Sequence, residues 1–182
     1  MTLRRFLTPM TVPVALAACF MAGTAFAQSS TRIEGMTLSN DKPIQIESDQ
    51  LEIQDTEKKA YFTGNVRVVQ GTTTMRAGKM TVLYLGEGSS VTSGNTQIDK
   101  IFLNDTVHLT SGEQNATADE GIFTMASQTF ELTGKQVVLS DGPNVFRGCK
   151  LTVLMKTGEA KLTPCSGTRV QILLDPKSKP QQ

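Results

Sequence analysis

The sequence has few of the residues on which catalytic and nucleic-acid-binding sites depend. Its 182 residues include one histidine, two tyrosines and no tryptophan, and 18 basic side chains are nearly balanced by 17 acidic ones. No lysine- or arginine-rich run supplies the basic surface that a nucleic-acid binder needs. One histidine leaves little chemistry for histidine-based catalysis or for a polyhistidine metal site. The composition therefore disfavours nucleic-acid binding and most enzyme classes, and we expect no cofactor.

The sequence also lacks an apolar run long enough for an uninterrupted transmembrane helix of ~20 residues. Its most apolar stretch, Val12–Phe20, follows the basic pair Arg4 and Arg5 and leads to Ala25-Phe26-Ala27. A positive start, a short apolar run and a small-x-small site are typical of a cleaved secretory signal. We predict that residues 1–27 are a signal peptide and that the chain is exported.

A second interpretation of this N-terminal stretch is lipid attachment at Cys19, because Leu16–Cys19 resembles a lipoprotein signal box. The apolar run continues beyond Cys19 towards Ala27, which favours cleavage after Ala27. The polar residues 28–42 and 177–182 are expected to form a flexible N-terminal segment and a polar tail. A single domain then spans residues 43–176.

From residue 43 onward, short β-branched segments alternate with glycine, asparagine or aspartate at intervals of ~8 to 12 residues. This spacing predicts an antiparallel all-β protein. Near the start, Ile44 and Ile46 alternate in one parity and Leu51 and Ile53 in the other, which predicts a turn or bulge at Glu47–Asp49. The remaining predicted strands are Val66–Gln70, Met80–Tyr84, Ile101–Leu103, Val107–Leu109, Phe130–Thr133, Val137–Leu139, Leu151–Met155 and Val170–Leu174.

The strand-rich region contains an internal repeat. A shift of 70 positions superimposes Thr63-Gly64 on Thr133-Gly134, and a shift of 71 superimposes Lys79–Leu83 on Lys150–Leu154. Repeats of this size cannot bury an apolar face alone and must share a core with their neighbours. We therefore predict an elongated stack of repeated strand units, with shorter units beginning near Asp49, Gly78, Asp119 and Cys149.

Two cysteines, Cys149 and Cys165, flank a predicted hairpin that turns at Thr157-Gly158. The hairpin would bring them within reach of a disulfide, which an oxidising compartment preserves; two free thiols are the alternative. Neither cysteine has a nearby histidine or a Cys-x-x-Cys partner. Redox catalysis and zinc binding are therefore disfavoured.

The segments Pro43–Gln50 and Tyr61–Val66 together resemble the OstA-like family of periplasmic lipopolysaccharide transport proteins. Further similar segments extend the resemblance over about residues 40–176: Val69–Thr72, Ala77–Lys79, Leu132–Gly134, Gly167–Val170, Leu174 and Pro176. The resemblance implies an elongated antiparallel β-jellyroll, open at both ends, whose apolar interior holds the acyl chains of lipid A. It also implies a location in the periplasm.

The function implied by the resemblance is that of a non-enzymatic bridge, which carries lipopolysaccharide from the inner to the outer membrane. The implied partners are lipopolysaccharide, an LptC-like inner-membrane protein at the N-terminal edge and an LptD-like outer-membrane translocon at the C-terminal edge. Further copies of the chain would associate head to tail. The alternatives are a membrane-tethered LptC-like component of the same pathway and an enzyme on a jellyroll scaffold. For the enzyme, His108 is the one imidazole available.

The resemblance also implies which residues contact the lipid. These are Ile44 and Ile46 on the N-terminal strand, Tyr84, and the pair Phe123 and Met125. Between Gly86 and Gln114 the resemblance is loose, and there the alternation of apolar residues adds Val107 and Leu109. We expect these side chains to face a common interior.

Overall fold

The structure is a computed structural model that describes Leu38 and residues 42–86 and 97–176. The predicted signal peptide 1–27, the alternative lipid site Cys19 and the tail 177–182 lie outside these residues. No helix in the described ranges is long and apolar enough to cross a membrane. The regular elements there are the strands β1 (Gln45–Glu47), β2 (Gln50–Gln54), β3 (Lys59–Gln70), β4 (Thr73–Leu85), β5 (Gln97–Asn104), β6 (Val107–Ser111), β7 (Gln114–Ala118), β8 (Glu120–Thr124), β9 (Thr129–Asp141), β10 (Asn144–Leu154), β11 (Glu159–Thr163) and β12 (Gln171–Leu173).

All strand neighbours are antiparallel and form one continuous sheet that bends into two walls. The long strands β3, β4, β9 and β10 run through both walls, whereas each short strand belongs to one. Wall A has the order β2-β3-β4-β5-β8-β9-β10-β11. Wall B has the order β1-β3-β4-β6-β7-β9-β10-β12. The architecture is the predicted antiparallel β-jellyroll.

The strands form two equivalent sets of six. β3 pairs with β1, β2 and β4, and β9 pairs with β7, β8 and β10. In the same way β4 pairs with β5 and β6, and β10 pairs with β11 and β12. The predicted repeat is therefore present, with β1–β6 equivalent to β7–β12. The shorter units predicted to begin near Asp49, Gly78, Asp119 and Cys149 are not separate units, because these residues mark the corners where the sheet bends between its walls.

Three of the four corners pack an aspartate against a glycine. At the first corner, the Asp49 amide donates to the Gly64 carbonyl oxygen at 2.9 Å, and the Asn65 side chain donates to the Asp49 carboxylate at 2.8 Å. At the third, the Asp119 carboxylate accepts from the Lys135 amide at 2.7 Å, beside Gly134. These contacts satisfy backbone groups that the bend removes from the strand ladder.

The second corner is formed by Gly78 and Asp105, with the Gly78 amide donating to the Asp105 carbonyl oxygen at 2.9 Å. A Cβ at Gly78 would lie 2.6 Å from the Asp105 Cβ, so a larger residue does not fit. At the fourth corner the position equivalent to Gly78 is Cys149, which forms a disulfide with Cys165 across a Cα–Cα distance of 4.8 Å. A covalent bond therefore fastens the corner next to the C-terminal edge.

Alternation along the bent strands produces rows of inward-facing residues that run across each wall. The members of a row are successive register partners, and the central ones are buried. Leu38, from the segment 28–42 expected to be flexible, is also buried in this core. Row A, in wall A, contains Ile53, Ala60, Val82, Ile101, Phe123, Phe130, Val153 and Ala160. Row B, in wall B, contains Ile46, Val68, Met75, Leu109, Ala116, Leu139, Phe146 and Ile172.

The observed strands differ from the predicted ones in length and number. The strands predicted at Val66–Gln70 and Met80–Tyr84 are the later parts of β3 and β4, which begin at Lys59 and Thr73. Phe130–Thr133 and Val137–Leu139, predicted as separate strands, both belong to β9, which continues through Gly134 because Asp119 supports the bend there. The strands β7 and β8 were not predicted. They contain small or polar residues such as Ala116 and Gly121, and their pairing depends on neighbours that are distant in sequence.

We predict that Gly134→Ala lowers the free energy of unfolding by about 2 kcal/mol or more. The new Cβ would lie 2.8 Å from the Asp119 amide nitrogen, so the corner has to open. Gly112→Ala is the matched control: no atom lies within 4 Å of its Cβ, and its φ of 58° limits the expected cost to about 1 kcal/mol. Denaturant unfolding measures both, and equal losses would contradict the packing argument.

Candidate functional site

The structure brings the seven predicted lipid-contact residues to one interior. On wall A, Phe123 is completely buried, and Tyr84 and Met125 are 2% and 7% exposed. Wall B contributes four residues: Val107 and Leu109 are buried, and Ile44 and Ile46 are half-buried and pack against the core at its N-terminal end. Their shared placement is observed, whereas their contact with lipid remains a prediction.

The interior consists mainly of slim aliphatic and methionine side chains. Its aromatic contacts include a tilted pair, Phe123 and Phe130, with ring centroids 6.3 Å apart. Phe130, Phe62, Met75 and Met80 lie in the same interior but were not among the predicted contacts. The repeat and the strand alternation could have identified them, since Phe130 is the register partner of Phe123. Flexible methionines allow such an interior to adapt to irregular apolar shapes.

Tyr84 has a buried ring and a hydroxyl group that is hydrogen-bonded. It lies at the outer end of β4, and its hydroxyl donates to the Asp55 carboxylate at 2.6 Å. This hydrogen bond, followed by desolvation and the charge of Asp55, raises the pKa of Tyr84 to about 12. The Lys58 ammonium lies 5.8 Å from the centre of the ring. Tyr84 thus presents its ring to the interior and fixes the β2–β3 turn through its hydroxyl.

The two ends of the stack are edges that retain unpaired backbone groups within the described residues. There, β1 and β2 pair only with β3, and β11 and β12 pair only with β10. We call β1 and β2 the N-terminal edge and β11 and β12 the C-terminal edge. Several large apolar side chains on or beside these edges are exposed by half or more: Leu51, Ile172, Leu173 and Leu174. Edge strands with exposed apolar side chains are surfaces to which another strand can add.

Two surface cavities occupy equivalent positions in the two repeats. The first, of about 380 Å³, is lined by Arg67, Arg76 and His108 among other residues, and the second, of about 170 Å³, by Arg147 and Arg169. Strand alternation directs Arg67, Arg76, His108 and Arg147 away from the apolar interior. Within residues 42–86 and 97–176, no group of three or more His, Cys, Asp or Glu side chains is arranged to hold a metal ion.

We predict that Tyr84 ionises near pH 12 and that Tyr84→Phe removes this transition from the ultraviolet titration of tyrosinate. Because its pKa in the folded protein exceeds the ordinary value of 10.0, the stabilisation from protonated Tyr84 is complete below pH 10. It is lost as the pH rises towards 12. The melting temperature of the native protein should therefore fall more steeply over this range than that of the variant. Parallel pH profiles would contradict the assignment.

Comparison with known proteins relates this architecture to lipopolysaccharide transport. Residues 45–159 match the family described as LptA/(LptD N-terminal domain) LPS transport protein. The lipopolysaccharide export system protein LptA of Escherichia coli strain K12 is 30% identical over 144 residues, which cover 78% of this chain and 75% of that protein. An uncharacterised protein of Rhizobium meliloti strain 1021 is 59% identical over 165 residues, or 90% of this chain and 88% of that protein.

A solved structure supports the fold. LptH of Pseudomonas aeruginosa, described as the LptA homologous periplasmic component of the lipopolysaccharide transport device, superimposes with a TM-score of 0.62. The match covers 75% of this chain and 97% of that chain at 16% identity. The family match extends from β1 to the first residue of β11 and so includes both walls. The chain therefore belongs to the LptA/LptD N-terminal domain family of lipopolysaccharide transport proteins and has its OstA-like β-jellyroll fold.

Proposed function

We propose that this chain is a periplasmic bridge protein that binds lipopolysaccharide and passes it from the inner towards the outer membrane. Signal cleavage after Ala27 would release the chain into the periplasm. The acyl chains of lipid A would lie between wall A and wall B, and copies of the chain would join head to tail. An LptC-like protein would add to the N-terminal edge and an LptD-like translocon to the C-terminal edge. The main observation in support of this proposal is the junction between the two internal repeats, where strands of the first repeat pair with strands of the second.

The chemistry of the interior supports the lipid-binding part of the proposal. Rows A and B form two facing apolar surfaces, and each CH₂ group that they keep from water is worth ~0.8 kcal/mol. The central residues of both rows belong to one buried hydrophobic cluster. Acyl chains would therefore enter as the walls separate and would replace wall-to-wall contacts by wall-to-lipid contacts. Such an exchange needs no reactive group, and energy for directional movement would come from the partners.

The repeat junction supports head-to-tail association. Within the chain, β5 and β6 at the end of the first repeat pair with β8 and β7 at the start of the second. The equivalents of β5 and β6 are β11 and β12, which form the C-terminal edge. The equivalents of β7 and β8 are β1 and β2, which form the N-terminal edge. A second copy can therefore add to either end by repeating a junction that the chain already contains.

The internal junction also specifies a register for the external one. Leu103 pairs with Gly121 across the internal junction. At the C-terminal edge the equivalent of Leu103 is Leu162, because Leu162 pairs with Leu151 as Leu103 pairs with Met80. At the N-terminal edge the equivalent of Gly121 is Leu51, because Leu51 pairs with Phe62 as Gly121 pairs with Leu132. Leu162 would thus face Leu51 of the next copy, on the interior side.

The neighbouring pair in this register has opposite charges. Phe102 pairs with Ile122 inside the chain, and the equivalent residues at the edges are Lys161 and Glu52. Both are exposed and face outward. In the proposed junction Lys161 would lie directly opposite Glu52 of the next copy, where unlike charges are favourable and like charges unfavourable.

The lipid path can be tested with a photoreactive amino acid at Phe123 or Ile46 in living cells. We expect lipopolysaccharide adducts at both positions, because both side chains face the interior. The adjacent outward-facing residues Ile122 and Glu47 are the matched controls and should give at least about tenfold fewer adducts, since alternation points them away from the lipid. Equal labelling at inward and outward positions would contradict an interior path.

The head-to-tail junction can be tested with a zero-length carbodiimide, which joins an amine to a carboxylate in direct contact. We expect mass spectrometry of the linked mature protein to identify Lys161 joined to Glu52. This product is intermolecular, because seven strand spacings of about 4.8 Å separate β11 from β2 within one copy.

Charge exchange provides the matched variants for the same junction. Lys161→Glu or Glu52→Lys alone should weaken self-association about three- to tenfold, and the double variant should restore it. Lys135→Glu, on a strand between the edges, is the control that should leave association unchanged. A link from Lys161 to Glu47 or Glu57 would overturn the register. A chain that stays monomeric at every concentration, without intermolecular links, would overturn head-to-tail association.

A further inference from the structure

One inward-facing layer of wall B is polar, although the adjacent layer is apolar. Gln70, Thr73, Ser111 and Gln114 are successive register partners on β3, β4, β6 and β7. They are 4%, 1%, 2% and 7% exposed. We call these four residues the polar row. It runs beside Val68, Met75, Leu109 and Ala116 of row B, at the ends of the strands farthest from the corners.

Hydrogen bonds satisfy most polar atoms of the polar row, but one acceptor has no donor among the described residues. The Gln70 side-chain amide donates to the Lys42 carbonyl oxygen at 2.8 Å, and the hydroxyl oxygens of Thr73 and Ser111 lie 3.3 Å apart. Gln114 Oε1 is buried and has no hydrogen-bond partner among the described residues. A buried carbonyl oxygen without a donor is unfavourable, which leaves a place for a donor from a bound ligand.

We propose that the polar row is a subsite for the hydroxyl- or amide-bearing part of the transported lipid, with Gln114 Oε1 accepting its hydrogen bond. This inference rests on the proposed lipid-carrying function. An acyl chain that crosses row B in the direction of the strands would place the polar groups next to its attachment point at the polar row. The alternation of the four strands would otherwise put apolar residues at these positions.

The charge of the site favours a neutral hydrogen-bond donor over a phosphate group. All four side chains of the polar row are uncharged. The next register partner of Gln114 is Asp141, a half-buried residue whose carboxylate is a further acceptor and would repel an anion. Hydroxyl and amide N–H groups fit both acceptors. The subsite would therefore recognise the polar base of the acyl chains rather than a phosphorylated headgroup.

The test compares three lipids as competitors of the apolar dye 1-N-phenylnaphthylamine bound to the mature protein. The first, 3-hydroxytetradecanoyl dimethylamide, offers a hydroxyl donor. The second, tetradecanoyl methylamide, offers an amide N–H, and the third, tetradecanoyl dimethylamide, offers neither. We expect one or both donor lipids to bind about three- to tenfold more tightly than the third. The donor lipid with the larger increase in affinity over the third lipid identifies the group, hydroxyl or amide N–H, that the subsite recognises.

Gln114→Leu should abolish this preference while leaving the affinity for the third lipid unchanged or higher. Its melting temperature should be unchanged or raised, because an apolar side chain removes the open acceptor. Asn115→Leu is the matched control: the neighbouring residue on the same strand is exposed, and its change should preserve the preference.

Equal affinity of the native protein for all three lipids would overturn the subsite and leave the proposed function intact. Loss of all lipid binding in Gln114→Leu together with a lower melting temperature would show a structural role and also overturn the subsite. If the native protein bound none of the three lipids and no lipopolysaccharide, the proposed function itself would fail.

Discussion

The close approach of strands at the corners is the constraint on which the rest of the structure depends. A flat antiparallel sheet of this length would leave its apolar face exposed to water. Glycines within the long strands allow the sheet to bend, and aspartates in the connections between short strands satisfy backbone groups that the bend leaves unpaired. Gly134 with Asp119 shows both effects at one position. Because every long strand bends at the same level, a single sheet provides both walls of the interior.

Bending the sheet removes its apolar face from water, but it does not cover the strands at the two ends of the stack. Each repeat covers the flank of the next, so the central residues of row A and row B are buried while those at the edges are not. Ile46 and Ile53 at one end, and Ala160 and Leu162 at the other, are half-buried residues that lack a flanking strand among the described residues. Each repeat can therefore pair with a further repeat at its edge, and the junction between the two repeats of this chain is one example of such pairing.

Much of the fold could be predicted from the sequence because it follows from local patterns of apolar and polar residues. Alternation identified the strands that face the core, and the shift of 70 to 71 positions identified the repeat. The opposite parity of Ile46 and Leu51 correctly indicated the bend at Asp49. The strands β7 and β8 were not predictable in this way, since their small residues are held in place by the neighbours β6, β5 and β9. The polar row was hidden for a related reason: Gln70, Thr73, Ser111 and Gln114 become adjacent only through the register.

The disulfide illustrates how the two repeats differ where their surroundings differ. Cys149 occupies the position of Gly78, but among the described residues no further strands flank β11 and β12. The connection between β11 and β12 is also longer than the two-residue connection between β5 and β6. A hydrogen bond between backbone groups is sufficient at the enclosed corner, whereas the corner beside the free edge has a covalent link to Cys165. In the proposed assembly this link would keep β12 aligned with β11, so that Ile172 and Leu162 meet a partner together. The same register that satisfies the unpaired backbone would then join row A and row B to those of the next copy, and the apolar interior would continue across the junction.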